Sequence, residues 1–277
     1  SPFEVETDPD FVRMPVAACF VGSKGSGKTY SAIQFVKTME DRGYVNRVFL
    51  LSPTLESNSM YTNLKTLNME EDVCDDADLF QQALDHVVEK IKTAREEREK
   101  EIRYAELYQK FVEGGEDCLD PVELQTLKFQ DYRVPEIPEE IRPLLLCDDV
   151  QGTSAFTNKR RDRMQHVAIR HRHLGLSLVC LVQTLQGVPR VQRLNTNVYC
   201  LFKTSDLKQL DEIASLFGAY ISKEKFLRLF KYATKEPYSF FMVDLNAKRP
   251  ELRFRKGFNE LLDIDEDSSS EEDCGCG

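Results

Sequence analysis

The stretch Gly22-Ser-Lys-Gly-Ser-Gly-Lys28-Thr29 matches the pattern G-x-x-x-x-G-K-[ST] of a phosphate-binding loop. An apolar run, Val16 to Val21, precedes it, and residues 31–39 show the apolar spacing of a helix. This order of strand, loop and helix is the context that the motif requires. Its glycines allow the backbone to close around an anion, and a helix N-terminus attracts negative charge. The sequence therefore predicts a site for the phosphates of a nucleotide.

The residues of this loop have separate expected roles. We expect Lys28 to place its charge on the β- and γ-phosphates, and the Thr29 hydroxyl to bind Mg²⁺. The predicted nucleotide-binding residues are Gly22, Ser23, Lys24, Gly25, Ser26, Gly27, Lys28, Thr29 and Tyr30. The alternative is a glycine-rich turn before an ordinary helix, with no ligand.

Length and composition place the chain among globular proteins. It has 277 residues, of which 41% are hydrophobic and 30% charged. No apolar run reaches the length of a membrane span, and we expect no signal peptide. Four of the eight cysteines lie in apolar, strand-like runs, which favours reduced thiols in a cytosol-type compartment and not secretion. We predict one domain over residues 1–262 and a disordered tail over 263–277, because residues 263–273 carry seven acids and no base.

Strand and helix patterns alternate along the chain. Predicted strands cover residues 15–21, 46–51, 143–149, 176–182 and 197–202, with antiparallel edge strands at 238–245 and 251–254. The first predicted helix follows the phosphate-binding loop and ends near residue 42. Further helices are predicted over 78–112, 157–172, 205–217 and 222–233, and residues 54–77 are predicted to be irregular. In the helix over 157–172, Ala168 and Ile169 are expected on the apolar side. This alternation predicts an α/β fold with a mainly parallel central sheet flanked by helices.

Residues 78–130 are predicted to form a charged helical insertion in this fold. Its middle, Ala94 to Glu101, is charged on all faces, which is typical of a solvated helix or a projecting helical hairpin. A role in subunit contact is the alternative.

Polar residues end two of the predicted strands on the side where the phosphate-binding loop lies. Four apolar residues and Asp148-Asp149 end the third strand, and Gln183 ends the fourth. We expect Asp148 to hold Mg²⁺ with Thr29, and Asp149 to orient or deprotonate the attacking water. If the fourth strand lies between the first and the third, Gln183 stands beside the γ-phosphate. The alternatives are solvent-facing acids and an ordinary loop glutamine.

Charge that develops on the γ-phosphoryl group calls for a cation beyond Lys28. We expect an arginine from a neighbouring subunit, Arg193 first, with Arg190 and Arg172 as alternatives; each could equally be an ordinary surface arginine.

A basic belt lies within a chain whose net charge is −10. Residues 153–203 carry nine Lys or Arg and one acid. Four of these cations are candidate contacts to DNA phosphates, without base specificity: Lys159, Arg160, Arg161 and Arg163. The alternative is the solvated start of a basic helix.

Together, the segments GSKGSGKT, LLLCDDV, RHRHLGLSLVCLVQT and VPRVQRLNTNV resemble the genome-packaging ATPases of poxviruses and other nucleocytoplasmic large DNA viruses, in the FtsK–HerA class. The shared features are a double Asp, an Arg-His pair before a strand that ends in Gln, a Pro and an Arg-x-Asn. Here these are Asp148-Asp149, Arg172-His173, Gln183, Pro189 and Arg193-Leu-Asn195. The resemblance covers roughly residues 14–205 and leaves out the insertion and the tail.

The resemblance implies an ASCE P-loop NTPase of the RecA/FtsK type that hydrolyses ATP with Mg²⁺. It implies a motor that moves double-stranded viral DNA into a capsid as a homo-oligomeric ring, a pentamer or a hexamer. A capsid or portal-vertex component is then a partner. The implied location is the host cytoplasm or viral factory, or the virion. The alternatives are a related DNA pump or helicase-like ATPase without a capsid, and a P-loop nucleotide switch or kinase.

Overall fold

The structure is a computed structural model that describes residues 3–55, 59–156 and 162–263. Its strands are β1 (Ala17–Val21), β2 (Arg47–Leu51), β3 (Val73–Cys74), β4 (Pro143–Asp148), β5 (Ser177–Val182), β6 (Val198–Phe202), β7 (Phe240–Asp244), β8 (Phe254–Lys256) and β9 (Glu260–Leu261). Its α-helices are α1 (Lys28–Asp41), α2 (Phe80–Gly114), α3 (Pro121–Phe129), α4 (Arg163–Arg170), α5 (Arg190–Asn195), α6 (Leu207–Leu216) and α7 (Lys223–Ala233). The predicted disorder of the tail from residue 264 on lies outside the described residues.

The strands form one sheet in the order β3-β2-β4-β5-β1-β6-β7-β8-β9. The six strands from β3 to β6 in this order pair in parallel, and β7, β8 and β9 add on in antiparallel fashion. The predicted α/β fold with a mainly parallel sheet is therefore confirmed. The antiparallel strand predicted over 238–245 is present as β7, whereas the one predicted over 251–254 is displaced, because Pro250–Leu252 forms a 3-10 turn and β8 starts only at Phe254.

Two short strands were not predicted. Val73–Cys74 pairs with Leu50 and Leu51 inside the segment that was expected to be irregular, and Glu260–Leu261 pairs with β8. A strand of two residues is too short to show an alternating pattern, so the sequence carries no signal for it. The same segment also contains a 3-10 turn over Ser59–Asn63.

Helices cover both faces of the sheet, which is why its central strands are buried along their whole length. One face packs against α2, α4, α6 and α7. The other packs against α1, the segment around Val12–Val16 and the 3-10 turn with Tyr61. This layering holds the carboxyl ends of the parallel strands at one edge of the sheet.

The long helix α2 leaves the sheet half-way along its length. Its first half is anchored in the core by Phe80, Leu84, Val87 and Ile91. Its second half pairs with α3 as a helical hairpin, in which Tyr104 and Leu127 are buried. A bidentate ion pair closes the base of the hairpin, because two guanidinium nitrogens of Arg133 lie 2.6 and 2.7 Å from the carboxylate oxygens of Glu101.

Helix α4 corrects the expected apolar side of the basic helix. Met164, Val167, Ala168 and His171 are buried, whereas Ile169 is 56% exposed. Positions i, i+3, i+4 and i+7 share one helix face, and Ile169 follows Ala168 by 100° and turns away from it. The prediction for Ile169 was therefore wrong.

His171 is an unusual core residue at the end of α4. Its side chain is buried, and its Nδ1 lies 3.1 Å from the carbonyl oxygen of Leu176, which assigns the proton to Nδ1. Burial lowers the pKa of His171 to about 4. The imidazole is therefore neutral in the folded protein at neutral pH.

We expect His171 to make the protein less stable in acid. Its pKa is about 4 when folded, and about 6.5 when unfolded. The unfolded chain therefore takes up a proton first, and the contribution lost between these pH values is about 3 kcal/mol. Urea denaturation of the wild type and of His171→Gln between pH 4 and 7 measures this. The wild type should lose stability relative to the variant as the pH falls through this window. A pH-independent difference would contradict the assignment.

Candidate functional site

The phosphate-binding loop, the two acids and Gln183 meet where three neighbouring strands end. Because β5 lies between β1 and β4, the loop after β1, Asp148–Asp149 and Gln183 occupy one edge of the sheet. The amide of Gly22 donates to the carbonyl of Val182 at 3.1 Å, which ties the loop to the end of β5. This is the strand order on which the expected position of Gln183 depended.

Backbone geometry explains the glycines of the phosphate-binding loop. Gly25 and Gly27 have φ values of 81° and 95°, in the left-handed region that favours glycine. At Gly22, a Cβ atom would lie 2.7 Å from both the Cβ of Phe202 and the Oγ of Ser26. Helix α1 starts at Lys28, so its first N–H groups point to the loop.

Two polar groups of the loop fit an anionic ligand. The Oγ of Ser26 is buried and has no hydrogen-bond partner among the described residues. The Lys28 ammonium donates to the carbonyl of Ser23 at 3.1 Å. Burial lowers the pKa of Lys28, while Asp148 and Asp149 act in the opposite direction. A phosphate would accept hydrogen bonds from the helix N–H groups and from both side chains.

A hydrogen-bonded cluster forms around Asp148. The Thr29 hydroxyl donates to Oδ2 of Asp148 at 3.3 Å, and the Tyr61 hydroxyl donates to the same oxygen. Burial raises the pKa of Asp148, and the Tyr61 hydrogen bond and the charge of Lys28 oppose this rise. A hydroxyl and a carboxylate in contact at the end of such a loop are oxygen donors of the kind that Mg²⁺ prefers.

Asp149 and Gln183 also lie side by side. Asp149 has a φ of 54°, which turns the chain sharply after β4. The Gln183 amide nitrogen lies 3.5 Å from Oδ1 of Asp149. Gln151 was not predicted from the sequence. Its side-chain oxygen accepts a hydrogen bond from the backbone N–H of Gln183 at 2.6 Å, and its side-chain nitrogen donates to the backbone carbonyl of Thr184 at 2.8 Å. Gln151 thus links the chain after β4 to the chain after β5.

Tyr61 was also missed. It is 1% exposed although it lies in a polar segment that was predicted to be irregular. An isolated tyrosine in such a segment gives no signal of burial, and its contact with Asp148 depends on the 3-10 turn that packs against α1.

The three candidate arginines lie on two different parts of the chain. Arg190 and Arg193 are on α5, which returns from the carboxyl edge of the sheet toward the start of β6. The carbonyl of Arg193 accepts from the Tyr199 hydroxyl at 2.9 Å. Arg172 is exposed and lines a cavity of about 470 Å³ with Pro15 and Asn197, at the opposite edge. Arg172 therefore cannot reach the phosphate-binding loop of its own chain, and the role of each arginine in a neighbouring site stays a prediction.

Of the predicted DNA contacts, Lys159, Arg160 and Arg161 lie outside the described residues. Arg163 begins α4 and forms an ion pair with Asp85 of α2, with 3.1 Å between Nε and Oδ1. Its amide donates to Oε1 of Gln81 at 2.9 Å, and the Gln81 side chain also donates to Asp162 at 3.2 Å. The chain that follows the two acids is thus fastened to the start of α2.

Known structures share this architecture. The DNA-packaging ATPase B204 from Sulfolobus turreted icosahedral virus is 15% identical, with a TM-score of 0.50 over 88% of this chain and 97% of that one. The genome-packaging NTPase B204 from Sulfolobus turreted icosahedral virus 2, in complex with AMP, is 16% identical, with a TM-score of 0.51 over the same shares. No protein-family model matches the sequence, and no curated protein matches it significantly.

The chain has an α/β fold of the P-loop NTPase type. This fold agrees with the resemblance to FtsK–HerA-class packaging ATPases, although these two B204 structures come from viruses of Sulfolobus and not from a poxvirus. Within the described ranges, none of the helices is long and apolar enough to cross a membrane.

The Tyr61 hydroxyl gives a test of the cluster around Asp148. We expect Tyr61→Phe to lower the free energy of unfolding by about 1–3 kcal/mol, because a buried carboxylate loses a donor. Urea denaturation at pH 7 measures the loss. Tyr104→Phe is the matched control, since its hydroxyl donates to the neutral carbonyl of Arg133 at 2.8 Å. Equal stability of Tyr61→Phe and wild type would show that the hydroxyl does not stabilise the carboxylate.

Proposed function

We propose that the protein is an ATP-driven motor that translocates double-stranded viral DNA into a capsid. The observation that carries this proposal is the meeting of the phosphate-binding loop, the two acids and Gln183 at one sheet edge. The glycine loop with Lys28 lies there, Thr29 contacts Asp148, and Asp149 lies beside Gln183. The fold shared with the viral packaging ATPase B204 and the four sequence segments of the packaging family support the capsid-directed role.

In this proposal, the loop amides, Ser26 and Lys28 hold the phosphates of ATP. Thr29 and Asp148 hold Mg²⁺, which neutralises phosphate charge when it is bound. Asp149 accepts a proton from the attacking water or orients it, and Gln183 hydrogen-bonds to the γ-phosphate or the water. The hydrogen bonds from Thr29 and Tyr61 to the same oxygen fix the orientation of the Asp148 carboxylate, which would bind the metal.

The remaining parts of the proposed motor involve other molecules. An arginine from a neighbouring copy completes the site in a pentameric or hexameric ring. Arg193 is the first candidate for this role, and Arg190 and Arg172 are the alternatives. Lys159, Arg160, Arg161 and Arg163 contact DNA phosphates, and a capsid or portal component anchors the ring. The expected setting is the host cytoplasm or viral factory, or the virion.

Two substitutions separate nucleotide binding from hydrolysis. Lys28→Ala should abolish ATP binding, because the phosphates lose their main cation. Asp149→Asn should retain binding and lose at least about 100-fold in turnover, because general base catalysis is worth about 10²–10⁴. Calorimetry and steady-state phosphate release measure the two effects, and Lys37→Ala on α1 is the control lysine. Equal loss of binding in both variants would contradict the separate roles.

DNA dependence tests the motor itself. We expect ATP hydrolysis to rise with long double-stranded DNA and steeply with protein concentration, because neighbouring copies complete the site.

Neutralising Lys159, Arg160, Arg161 and Arg163 should weaken DNA binding and reduce the slope of log K against log salt by up to about 4. Neutralising Lys92, Lys100, Arg103 and Lys128 on the hairpin and its base is the matched control. If the rate of ATP hydrolysis depended neither on DNA nor on protein concentration, the protein would be a monomeric nucleotidase and not a motor. Stimulation of ATP hydrolysis by empty procapsids would distinguish a packaging motor from a DNA pump that acts without a capsid.

A further inference from the structure

Tyr238 has an unusual backbone conformation in the loop between α7 and β7. Its φ is 64°, and its side chain is 71% exposed. A bulky L-residue rarely adopts the left-handed region, and such outliers cluster at ligand sites where the surrounding structure holds them. The hydrophobic core does not explain the conformation, because the ring contributes little to that core.

The turn that carries Tyr238 is fixed by its neighbours. The Lys256 ammonium of β8 lies 2.7 Å from a carboxylate oxygen of Glu236 and lowers the pKa of that carboxyl through a hydrogen bond. The Ser239 hydroxyl donates to the Glu236 carbonyl at 2.6 Å. The backbone on both sides of Tyr238 is thereby held in place, and the tyrosine is presented at the surface.

The Tyr238 side chain lies against the phosphate-binding loop. A Cβ atom added to Gly27 would lie 3.2 Å from Cδ1 of Tyr238 and 3.3 Å from its Cβ. Gly27 directly precedes Lys28, so the aromatic ring stands beside the place where the phosphates are expected. A side chain at position 27 would therefore need the Tyr238 side chain to shift slightly.

A cavity of about 520 Å³ opens at this contact. It lies between residues 23–26 of the phosphate-binding loop, the end of β6 with Phe202, Lys203 and Ser205, and residues 235–239. Such a volume falls within the range of small-molecule sites. Three lysines are among its lining residues: Lys24, Lys203 and Lys235. Glu236 is the carboxylate among the lining residues, and Lys256 already engages it.

We propose that this cavity holds the nucleoside half of the nucleotide, with the base stacked on the Tyr238 ring. The inference rests on the proposed ATP site, since it places the phosphates in the adjoining loop. Stacking uses the face of a base and not its hydrogen-bonding edge, and every base has such a face. The cavity therefore selects a flat aromatic base over no base, and binds ATP and GTP with similar affinity.

Calorimetry with three probes tests this assignment: ATP, GTP and inorganic tripolyphosphate, each with Mg²⁺. Tyr238→Gly removes the ring and tolerates the left-handed backbone, so that it avoids a folding defect. It should weaken ATP and GTP binding about tenfold, the loss expected for one base–aromatic stack. Tripolyphosphate binding should stay unchanged. Tyr238→Phe should bind all three probes like the wild type, and Tyr220→Ala, a partly exposed tyrosine outside the cavity, is the control.

Three outcomes would overturn the assignment. Unchanged ATP affinity in Tyr238→Gly would show that the base lies elsewhere. An equal loss for tripolyphosphate would show that the ring only braces the loop. A preference above tenfold between ATP and GTP in the wild type would indicate a base-reading group. Each of these leaves the Lys28-dependent ATP site standing, whereas failure of the wild type to bind any probe would overturn the site and the assignment together.

Discussion

The parallel pairing of β1 with β5 and of β5 with β4 is the constraint on which the site depends. Parallel strands bring their carboxyl ends to one edge, so the glycine loop, the two acids and Gln183 become neighbours although up to 161 positions separate them in the sequence. Pairing in parallel requires crossovers, and the helices of these crossovers bury both faces of the sheet. The same connections that close the core therefore also assemble the polar edge, and the fold and the site cannot be altered independently at β5.

At this edge of the sheet, charged side chains are partly shielded from water. Burial disfavours the charged forms of Lys28 and of Asp148, and each group partly offsets the cost of the other. The Tyr61 hydroxyl adds a donor to the carboxylate, and the buried Ser26 hydroxyl lacks an acceptor among the described residues. The surplus of donors around the loop and the surplus of acceptors beside it suit an anion on one side and a cation on the other.

The sequence predicted what is encoded locally. The glycine loop, the apolar strands and the acids that end β4 are patterns within short segments, and they led to the correct α/β fold. Tyr61, Gln151 and Tyr238 escaped notice because only tertiary packing brings them to the edge. Ile169 was placed on the wrong side because consecutive residues of a helix point in directions 100° apart. A helix boundary predicted with an error of one residue therefore does not fix which side chains face the core. The roles of the site residues stay predictions.

Helix α2 gives the hairpin a mechanical character. The start of α2 is fastened to Asp162 and Arg163 through Gln81, and the first half of α2 is fixed in the core up to Ile91. From Ile91 to Gly114, the helix extends about 35 Å at 1.5 Å per residue. A rotation of the anchored first half of α2 by about 5° therefore displaces the helix end at Gly114 by about 3 Å. A rotation of this anchored half that is too small to repack the core would thus be enlarged at the tip of the hairpin, as at the end of a lever arm.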